Sequence, residues 1–386
     1  MMLRIGAVAV AFGLCAVAQE PAPDGIQPLL EAGNASYLHG DYDAARVSYE
    51  KAWELAKFRP DEDPARYEAP KRLSAALAAL GQYDEANANL SLAISWREQI
   101  DGPDDPKIPG DLLQSVVYLK ALKKYDDAAA VLHRVIGLHV GAFHGYENTD
   151  VADDNSRLAQ VYLLMKKPDA AIGALKTALS IRTKLAGPLD PTLIFDLDRL
   201  GAAYTGTQDY EKAEDAFRHA LTIRESLMGK DDADLIPDVD GLAFALFGQK
   251  KYDEAEPLYH RLIGLWTAST AADHPMLAVA WQKLGVFYSA QKKYDLAKDA
   301  FDKGNAIRAL HLATGLAEQA ADALTQGDKP DKPAVIALYR RALKPLDPPD
   351  PVYGDLRKDI EGMIAELGRK TDSQWKSAPP PVKKKE

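Results

Sequence analysis

Cysteine is almost absent from this sequence. The 386 residues contain one cysteine, Cys15, which lies in an apolar N-terminal segment that we predict is removed from the mature protein. A mature chain without a thiol can form no disulfide and has neither a thiolate nucleophile nor a cysteine ligand for a metal. Its stability must therefore come from side-chain packing, for which a hydrophobic content of 47% supplies enough material.

Motifs that bind nucleotides or carry out catalysis are also missing. The sequence contains no P-loop, no GxGxxG after a strand, no HExxH and no GxSxG. His133, His139 and His144 are close in sequence, but spacings of 6 and 5 residues do not place them on one face of a helix. Acidic pairs such as Asp231-Asp232 lie in linkers or at helix starts, where they favour the helix dipole. We therefore predict no catalytic residue, no metal ligand and no cofactor, and interpret the chain as a non-enzyme.

Positive charge is in deficit. The 47 lysine and arginine residues are outnumbered by 57 aspartate and glutamate residues, which leaves a formal net charge of −10. This balance gives no argument for binding nucleic acid, whose phosphates select a basic surface. The sequence therefore predicts no nucleic-acid partner; the repeats described below predict another protein or a peptide segment as the partner.

The N-terminal apolar run is too short to span a membrane. Ile5 to Ala18 forms an apolar run of 14 residues behind Arg4, whereas a spanning helix needs about 20. Ala16-Val17-Ala18 fits the small-x-small pattern of a signal-peptidase site. We predict cleavage after Ala18, a mature chain without a membrane span, and a periplasmic or secreted location. The alternatives are a membrane anchor and lipid attachment at Cys15, which the bulky Leu14 disfavours.

What the sequence does contain is a repeat of about 42 residues. Seven anchor residues follow one another at steps of 41, 42, 43, 42, 42 and 42: Tyr42, Tyr83, Tyr125, Pro168, Tyr210, Tyr252 and Tyr294. An alanine stands three residues after every anchor, and a large apolar residue stands seven after it. Apolar residues at offsets of 3, 7, 10 and 13–14 lie on one face of a helix, which we call helix B.

A second helix, helix A, precedes each anchor. Leucine stands ten residues before the anchor in five repeats, and a small or modest residue such as Gly201 or Gly285 follows it. A short turn such as Lys250-Lys251 joins helix A to helix B. The small residue in one helix and the alanine in the other let two antiparallel helices approach closely. Neither helix can bury its apolar face alone, so the repeats must stack.

These residues resemble the tetratricopeptide repeat. The segments LGAAY (200–204) and LGVFY (284–288), each followed by the alanine and aromatic of helix B, match the middle of its pattern. The usual unit has about 34 residues, and the 42-residue unit here is similar to the long repeats of kinesin light chains. The resemblance implies an all-α fold, an α-solenoid of antiparallel helix pairs in a right-handed superhelix. Seven to eight repeats and a C-terminal capping helix are expected.

The pattern predicts four segments. A signal peptide spans 1–18, seven repeats span 19–315, a degraded eighth repeat and the capping helix span 316–372, and a Pro/Lys-rich disordered tail spans 373–386. In the eighth repeat, Val335 and Tyr339 occupy the alanine and aromatic places. Pro257, inside the helix B expected from Tyr252, predicts a late start or a local kink in that helix.

By the same resemblance, helix A lines a concave groove with the residues 12, 8 and 5 positions before each anchor. The partner-binding residues predicted in this groove are Tyr37, Lys71, Leu113, Val117, Gln160, Asp198, Asp240, Phe244, Phe247, Gln282 and Val286. The apolar members beside acidic and amide groups suit an extended or helical segment with apolar anchors and some basic character. The alternative is that Phe244 and Phe247 pack against the neighbouring repeat.

Repeats, a signal peptide and the missing catalytic motifs together predict a non-catalytic scaffold of a bacterial-type cell envelope. It would bind a partner protein or peptide segment in the concave groove. The alternative is an accessory subunit of an enzyme, or of envelope polysaccharide or peptidoglycan machinery. That alternative depends on the irregular linker over 133–153 and on aromatic residues such as Trp266 and Trp281.

Overall fold

The computed structural model of the protein describes residues 25–61, 63–142, 145, 147–325, 332–347 and 354–369. Throughout these residues the regular structure is helical, with no strand. The helices fall into two compact units, Met1–Tyr146 and Glu147–Glu386, which we call unit 1 and unit 2. Within the described part of the chain, no helix combines the length and the apolar character that crossing a membrane requires. The predicted signal peptide and the predicted tail lie outside the described residues.

Unit 1 consists of three helix pairs. Its helices are α1 (Ile26–Leu38), α2 (Tyr42–Ala56), α3 (Ala65–Ala79), α4 (Tyr83–Asp101), α5 (Ile108–Ala121) and α6 (Tyr125–Ala142). Each helix packs against the next one along the chain, so every A helix after the first lies between two B helices. This is the stacking that the repeat predicts, because each apolar face is covered by its neighbours.

Unit 2 continues the same alternation and then departs from it. Its helices are α7 (Thr149–Leu164), α8 (Pro168–Ala186), α9 (Ile194–Gly206), α10 (Tyr210–Met228), α11 (Ile236–Gly248), α12 (Tyr252–Ser269), α13 (Pro275–Ala290), α14 (Tyr294–Thr325), α15 (Lys332–Leu343) and α16 (Gly354–Arg369). Short 3-10 turns, Pro191–Leu193 and Ala233–Leu235, lead into α9 and α11. The all-α fold of paired antiparallel helices is confirmed.

All seven B helices begin at their anchor residue, as the spacing predicts. In two of them an aspartate just before the anchor caps the helix: Asp41 accepts a hydrogen bond from the backbone amide of Ala44 at 3.0 Å, and Asp209 accepts one from that of Lys212. The late start expected at Pro257 is wrong, because α12 begins at Tyr252 and carries the proline as its sixth residue. So close to the N-terminus, the missing amide removes a single intrahelical hydrogen bond.

The turns between helices A and B share one backbone geometry. A residue with positive φ stands in each of the seven: Gly40, Gly81, Lys123, Lys166, Gln208, Lys250 and Lys292. In the sixth turn the amide of Lys250 donates to the carbonyl of Phe247, and the amide of Lys251 donates to that of Leu246, both at 2.9 Å. This is the Schellman motif, in which backbone amides satisfy the last carbonyls of the preceding helix. The GQKK segment (248–251) therefore serves as the connection between α11 and α12.

The small residues of the repeat stand where helices approach most closely. The seven alanines three residues after the anchors are at most 3% exposed. The ring of Phe217 is held between Gly201 of its own helix A and Gly241 of the next, since a Cβ at these glycines would lie 2.7 and 2.5 Å from the ring. A methyl group at either position would overlap the ring, which explains why glycine stands there.

The C-terminal part of unit 2 differs from an ordinary repeat. α14 runs for 32 residues without a turn, so the helix B of the seventh repeat continues directly into the place of the next helix A. The predicted boundary at residue 315 therefore lies inside one helix. α15 and α16 pack against the second half of α14 around Ala317, Val335, Tyr339 and Ile360. These three helices form a small core of their own at the end of the chain.

Candidate functional site

The side chains of helix A that the repeat predicts to face a groove form one face in each unit, which we call the A face. On unit 2 this face contains Gln160 of α7, Phe244 of α11 and Val286 of α13, each eight residues before its anchor. Phe244 is 43% exposed and Val286 is 52% exposed. Large apolar side chains therefore reach solvent at the same repeat position of two consecutive A helices.

A third exposed apolar side chain on this face was not predicted from the sequence. Phe195, near the start of α9, is 70% exposed. It precedes Asp198 by three residues and Ala202 by seven, so the helical period places it on the same side of α9. That spacing is the signal that could have identified it, because it lies one turn before the positions that were considered.

Phe247 has a different environment from Phe244. Its ring lies 5.8 Å from that of Phe287 in the next A helix and 6.2 Å from that of Tyr252, measured between ring centroids. Phe287 itself is fully buried. Phe247 thus packs between two repeats, whereas Phe244 touches Tyr210 edge-on at 6.2 Å and stays partly open to solvent. Their role in partner binding stays a prediction.

The polar residues predicted on the A face of unit 2 already have partners within the chain. Asp198 accepts a hydrogen bond from Arg224 at 2.9 Å, and Asp240 is paired with Lys283 at 2.5 Å. Gln282 accepts one from the guanidinium of Arg308 at 2.5 Å. A side chain engaged in this way has to break an internal contact before it can bind a partner, so its contribution to affinity is small.

Buried ion pairs join the repeats behind this face. Arg224 of α10 also bonds Asp238 of α11, and Arg182 of α8 bonds Asp196 of α9 in the same way. Each arginine stands 14 residues after an anchor and each aspartate 14 before the next. The Arg-x13-Asp spacing is readable in the sequence, but the sequence analysis missed it.

The pair Asp198 and Asp238 carries unusual electrostatics. Burial, and next the neighbouring carboxylate of Asp198, raise the pKa of Asp238 to about 8, against the opposing effect of Arg224. One guanidinium therefore balances two neighbouring carboxyl groups, and burial favours the protonated form of Asp238.

The A face of unit 1 borders a cavity of about 860 Å³ between its A helices. Tyr37 and Lys71, both predicted groove residues, line it together with Asp111 and Tyr118. Lys71 donates to Asp111 at 2.7 Å and to the hydroxyl of Tyr67 at 2.6 Å. Burial alone would lower the pKa of Lys71, but these two partners outweigh it and raise that pKa. Lys71 is thus a charged side chain that is fixed by Asp111 and Tyr67, and Asp111 largely neutralises its charge.

The other two predicted residues of unit 1 lie on α5. Leu113 is half-buried and packs against the core of the unit, whereas Val117 is 53% exposed. Val117 stands eight residues before its anchor, as Phe244 and Val286 do in unit 2.

Among the described residues, no group of three or more histidine, cysteine, aspartate or glutamate side chains could hold a metal ion. His144, one of the histidines considered from the sequence, lies outside the described residues.

Comparison with known proteins supports the reading of the repeats. A family model described as tetratricopeptide repeat matches residues 150–226 and 235–308. The C-terminal part of a TPR repeat-containing protein from Cytophaga hutchinsonii is similar in structure, with a TM-score of 0.52, 16% identity, and coverage of 72% of this chain and 95% of that chain. This similarity shows the fold alone.

Two further structures are similar over about half of the chain. The nearly identical TPR-like repeats named for a kinesin light chain of Podosopora anserina give a TM-score of 0.45 at 18% identity, covering 54% of this chain and 99% of that chain. BtubC from P. vanneervenii gives a TM-score of 0.43 at 23% identity, covering 53% of this chain and 81% of that chain. A comparison with curated proteins finds no match. By the family match, residues 150–226 and 235–308 are identified as tetratricopeptide repeats.

Proposed function

We propose that this protein is a non-catalytic scaffold that binds a segment of a partner protein on the A face of unit 2. Stacked helical repeats present extended surfaces suited to protein binding. The observation that carries the proposal is the exposure of Phe195, Phe244 and Val286 on three consecutive A helices. Large apolar groups exposed in a row are typical of a docking surface for an amphipathic segment.

The partner segment is expected to bind mainly through apolar side chains. The acidic residues of this face are paired with Arg224 and Lys283, so they offer little free negative charge. This changes the expectation from the sequence, which gave the partner some basic character. An amphipathic helix or extended peptide with two or three apolar anchors, spaced like the A helices, matches the face best.

The test combines identification of the partner with a paired substitution. Crosslinking in the native cell followed by mass spectrometry identifies the bound protein, and binding of the purified pair is then measured by calorimetry. Phe244→Ala with Val286→Ala is expected to weaken binding at least about tenfold, because each removes an exposed apolar side chain that the partner would bury. The control is Leu227→Ala, which removes a similarly exposed apolar side chain from helix B (53% exposed) and should leave the affinity unchanged. Unchanged binding by the double variant with intact helicity would refute the A-face assignment.

We further propose that the scaffold works in the cell envelope, in the periplasm or outside the cell. The support for this location is the N-terminal sequence alone, with its apolar run behind Arg4 and its small residues at 16–18.

A further inference from the structure

Among the described residues, no following A helix covers the outer side of the seventh helix pair, whereas one covers every earlier pair of unit 2. The residues at 0, 4, 7, 11 and 14 positions after the anchor face the next repeat; in α10 they are Tyr210, Glu214, Phe217, Leu221 and Arg224. All of them are buried or half-buried. The corresponding residues of α14, which we call the terminal face, are Tyr294, Lys298, Phe301, Asn305 and Arg308. Four of these are exposed and Phe301 is half-buried.

The covering of α10 by α11 shows what the terminal face lacks. Tyr210 lies against Gly248, where a Cβ would be 2.6 Å from its ring, and Phe217 lies against Gly241. Glu214 is paired with Lys251 at 2.8 Å at one end of this contact, and Arg224 bonds Asp238 at the other. The helix that would correspond to α11 does not form after the seventh repeat, because α14 continues without a turn to Thr325.

Compared with α10, the terminal face keeps both aromatic residues, but a lysine stands in place of the glutamate. Tyr294 is 67% exposed, which makes it the most exposed of the anchor residues, since the other six are half-buried. Arg308 stands where Arg224 does, but its contact is the amide of Gln282 in place of a carboxylate. Lys298 stands where Glu214 does, and it pairs with Asp302, one turn along the same helix. Two cations roughly 15 Å apart, ten residues along the helix, thus flank the half-buried Phe301, and the exposed Tyr294 lies one turn before Lys298.

We propose that the terminal face binds an acidic amphipathic helix of a partner protein, which takes the place of the A helix of a further repeat. An acidic residue of the partner meets Arg308, as Asp238 meets Arg224. Small residues lie over Phe301 and Tyr294, as Gly241 and Gly248 lie over their counterparts. A second acidic residue meets Lys298. The charges are reversed at the equivalent place in the earlier repeat, where Lys251, in the turn after α11, pairs with Glu214.

The chain's own C-terminal sequence is a poorer occupant of the terminal face than an acidic helix, because its charge has the same sign as Lys298 and Arg308. Residues 377–386, SAPPPVKKKE, contain three prolines and three lysines with a single acidic residue. Proline opposes a helix, and lysine opposes approach to Lys298 and Arg308. The terminal face borders the A face at the bond between Arg308 and Gln282, and it adds a second partner surface to the proposed function.

The experiment uses a labelled alanine-based peptide and the full mature chain. The peptide carries aspartate and two glycines at the spacing that Asp238, Gly241 and Gly248 have in α11, followed by glutamate three residues after the second glycine, as Lys251 follows Gly248. Binding is followed by fluorescence anisotropy. Saturable binding is expected, and Arg308→Glu should weaken it about tenfold through loss of one charge-assisted contact. Lys230→Glu, a charge reversal at an exposed linker residue, is the matched control and should leave binding unchanged.

A charge exchange makes the assignment specific. A peptide with arginine in place of its aspartate should bind Arg308→Glu better than it binds the wild-type chain. The proposal is overturned if the peptide does not bind, if Arg308→Glu and Lys230→Glu have the same effect, or if the exchanged peptide shows no preference. Sedimentation of the chain alone tests whether a second copy of the chain occupies the terminal face. A dimer that Arg308→Glu abolishes would overturn the proposal in favour of a second copy.

Discussion

A single guanidinium, that of Arg224, connects three helices of unit 2. It bonds Asp198 of α9 and Asp238 of α11 from its place on α10. Buried charges are costly unless they are paired, and here one positive charge serves two carboxyl groups. Asp198 and Asp238 each have one buried side-chain oxygen without a hydrogen-bond partner among the described residues. The arrangement specifies how the two repeats meet, and it makes their stability depend on pH.

The raised pKa of Asp238 sets the direction of that dependence. The folded protein holds a proton with a pKa of about 8, whereas the ordinary value is 3.8. Between these values the folded state binds more protons than the unfolded state, so this group makes the free energy of unfolding fall as pH rises toward 8. Asp238→Asn keeps an acceptor for Arg224 and removes the titration.

We therefore expect Asp238→Asn to raise the free energy of unfolding at pH 8 by about 1–3 kcal/mol, because a buried carboxyl group no longer has to ionise. Urea unfolding measured by circular dichroism from pH 5 to pH 8 checks this. Asp215→Asn, at an exposed position of α10, is the control and should follow the wild-type profile. An Asp238→Asn protein whose stability falls with pH as steeply as wild type would show that another group is responsible.

The stacking of helices depends on where glycine and alanine stand within each element. Phe217 fills the space between Gly201 and Gly241, so the aromatic ring of one helix B defines the closest approach of two A helices. Gly173 in α8 has open space around it instead, and a Cβ there would meet no atom within 4 Å. The two kinds of glycine should respond oppositely to the same substitution.

Gly241→Ala should lower the free energy of unfolding by about 1–3 kcal/mol, because its methyl group overlaps the Phe217 ring. Gly173→Ala should raise it by about 0.5–1 kcal/mol, since alanine favours a helix interior over glycine. Denaturant unfolding of the two variants and the wild type is the measurement. If both substitutions stabilise the protein, the close approach at Phe217 does not exist in solution.

At the level of the full chain, the period of the sequence was sufficient to predict where helices begin and how they stack. The B helices begin at the anchors Tyr42 through Tyr294. Their starts were predictable because the spacing of apolar residues within one repeat is enough to indicate each helix. The run of α14 through residue 315 could not be predicted in this way, because a missing turn leaves no mark when helix-forming residues replace it. The partners of Asp198 and Asp240 were missed for another reason: ion pairs join residues of different helices, and their formation depends on side-chain geometry.

A prediction for the mature protein follows from the lone cysteine. Protein isolated from its native cells should begin at Gln19 and, when unfolded, should not react with a thiol-specific maleimide, because Cys15 has been removed with residues 1–18. N-terminal sequencing and intact-mass analysis after labelling provide the check, with a chain expressed without processing as the reactive control. One labelled thiol in the native material would disprove cleavage after Ala18.

Because α14 is one continuous helix, its length fixes the orientation of α15 and α16 relative to the seventh repeat, which a loop would not do. Its 32 residues extend about 48 Å, with the seventh repeat on one half and the packed helices α15 and α16 on the other. Each residue of an α-helix turns the chain by about 100°. Adding or deleting one residue between Ile307 and Ala313 would therefore swing the C-terminal helices around the axis of α14 by more than a quarter of a turn. The number of residues in this part of α14 therefore determines the angle between its two ends as well as the distance between them.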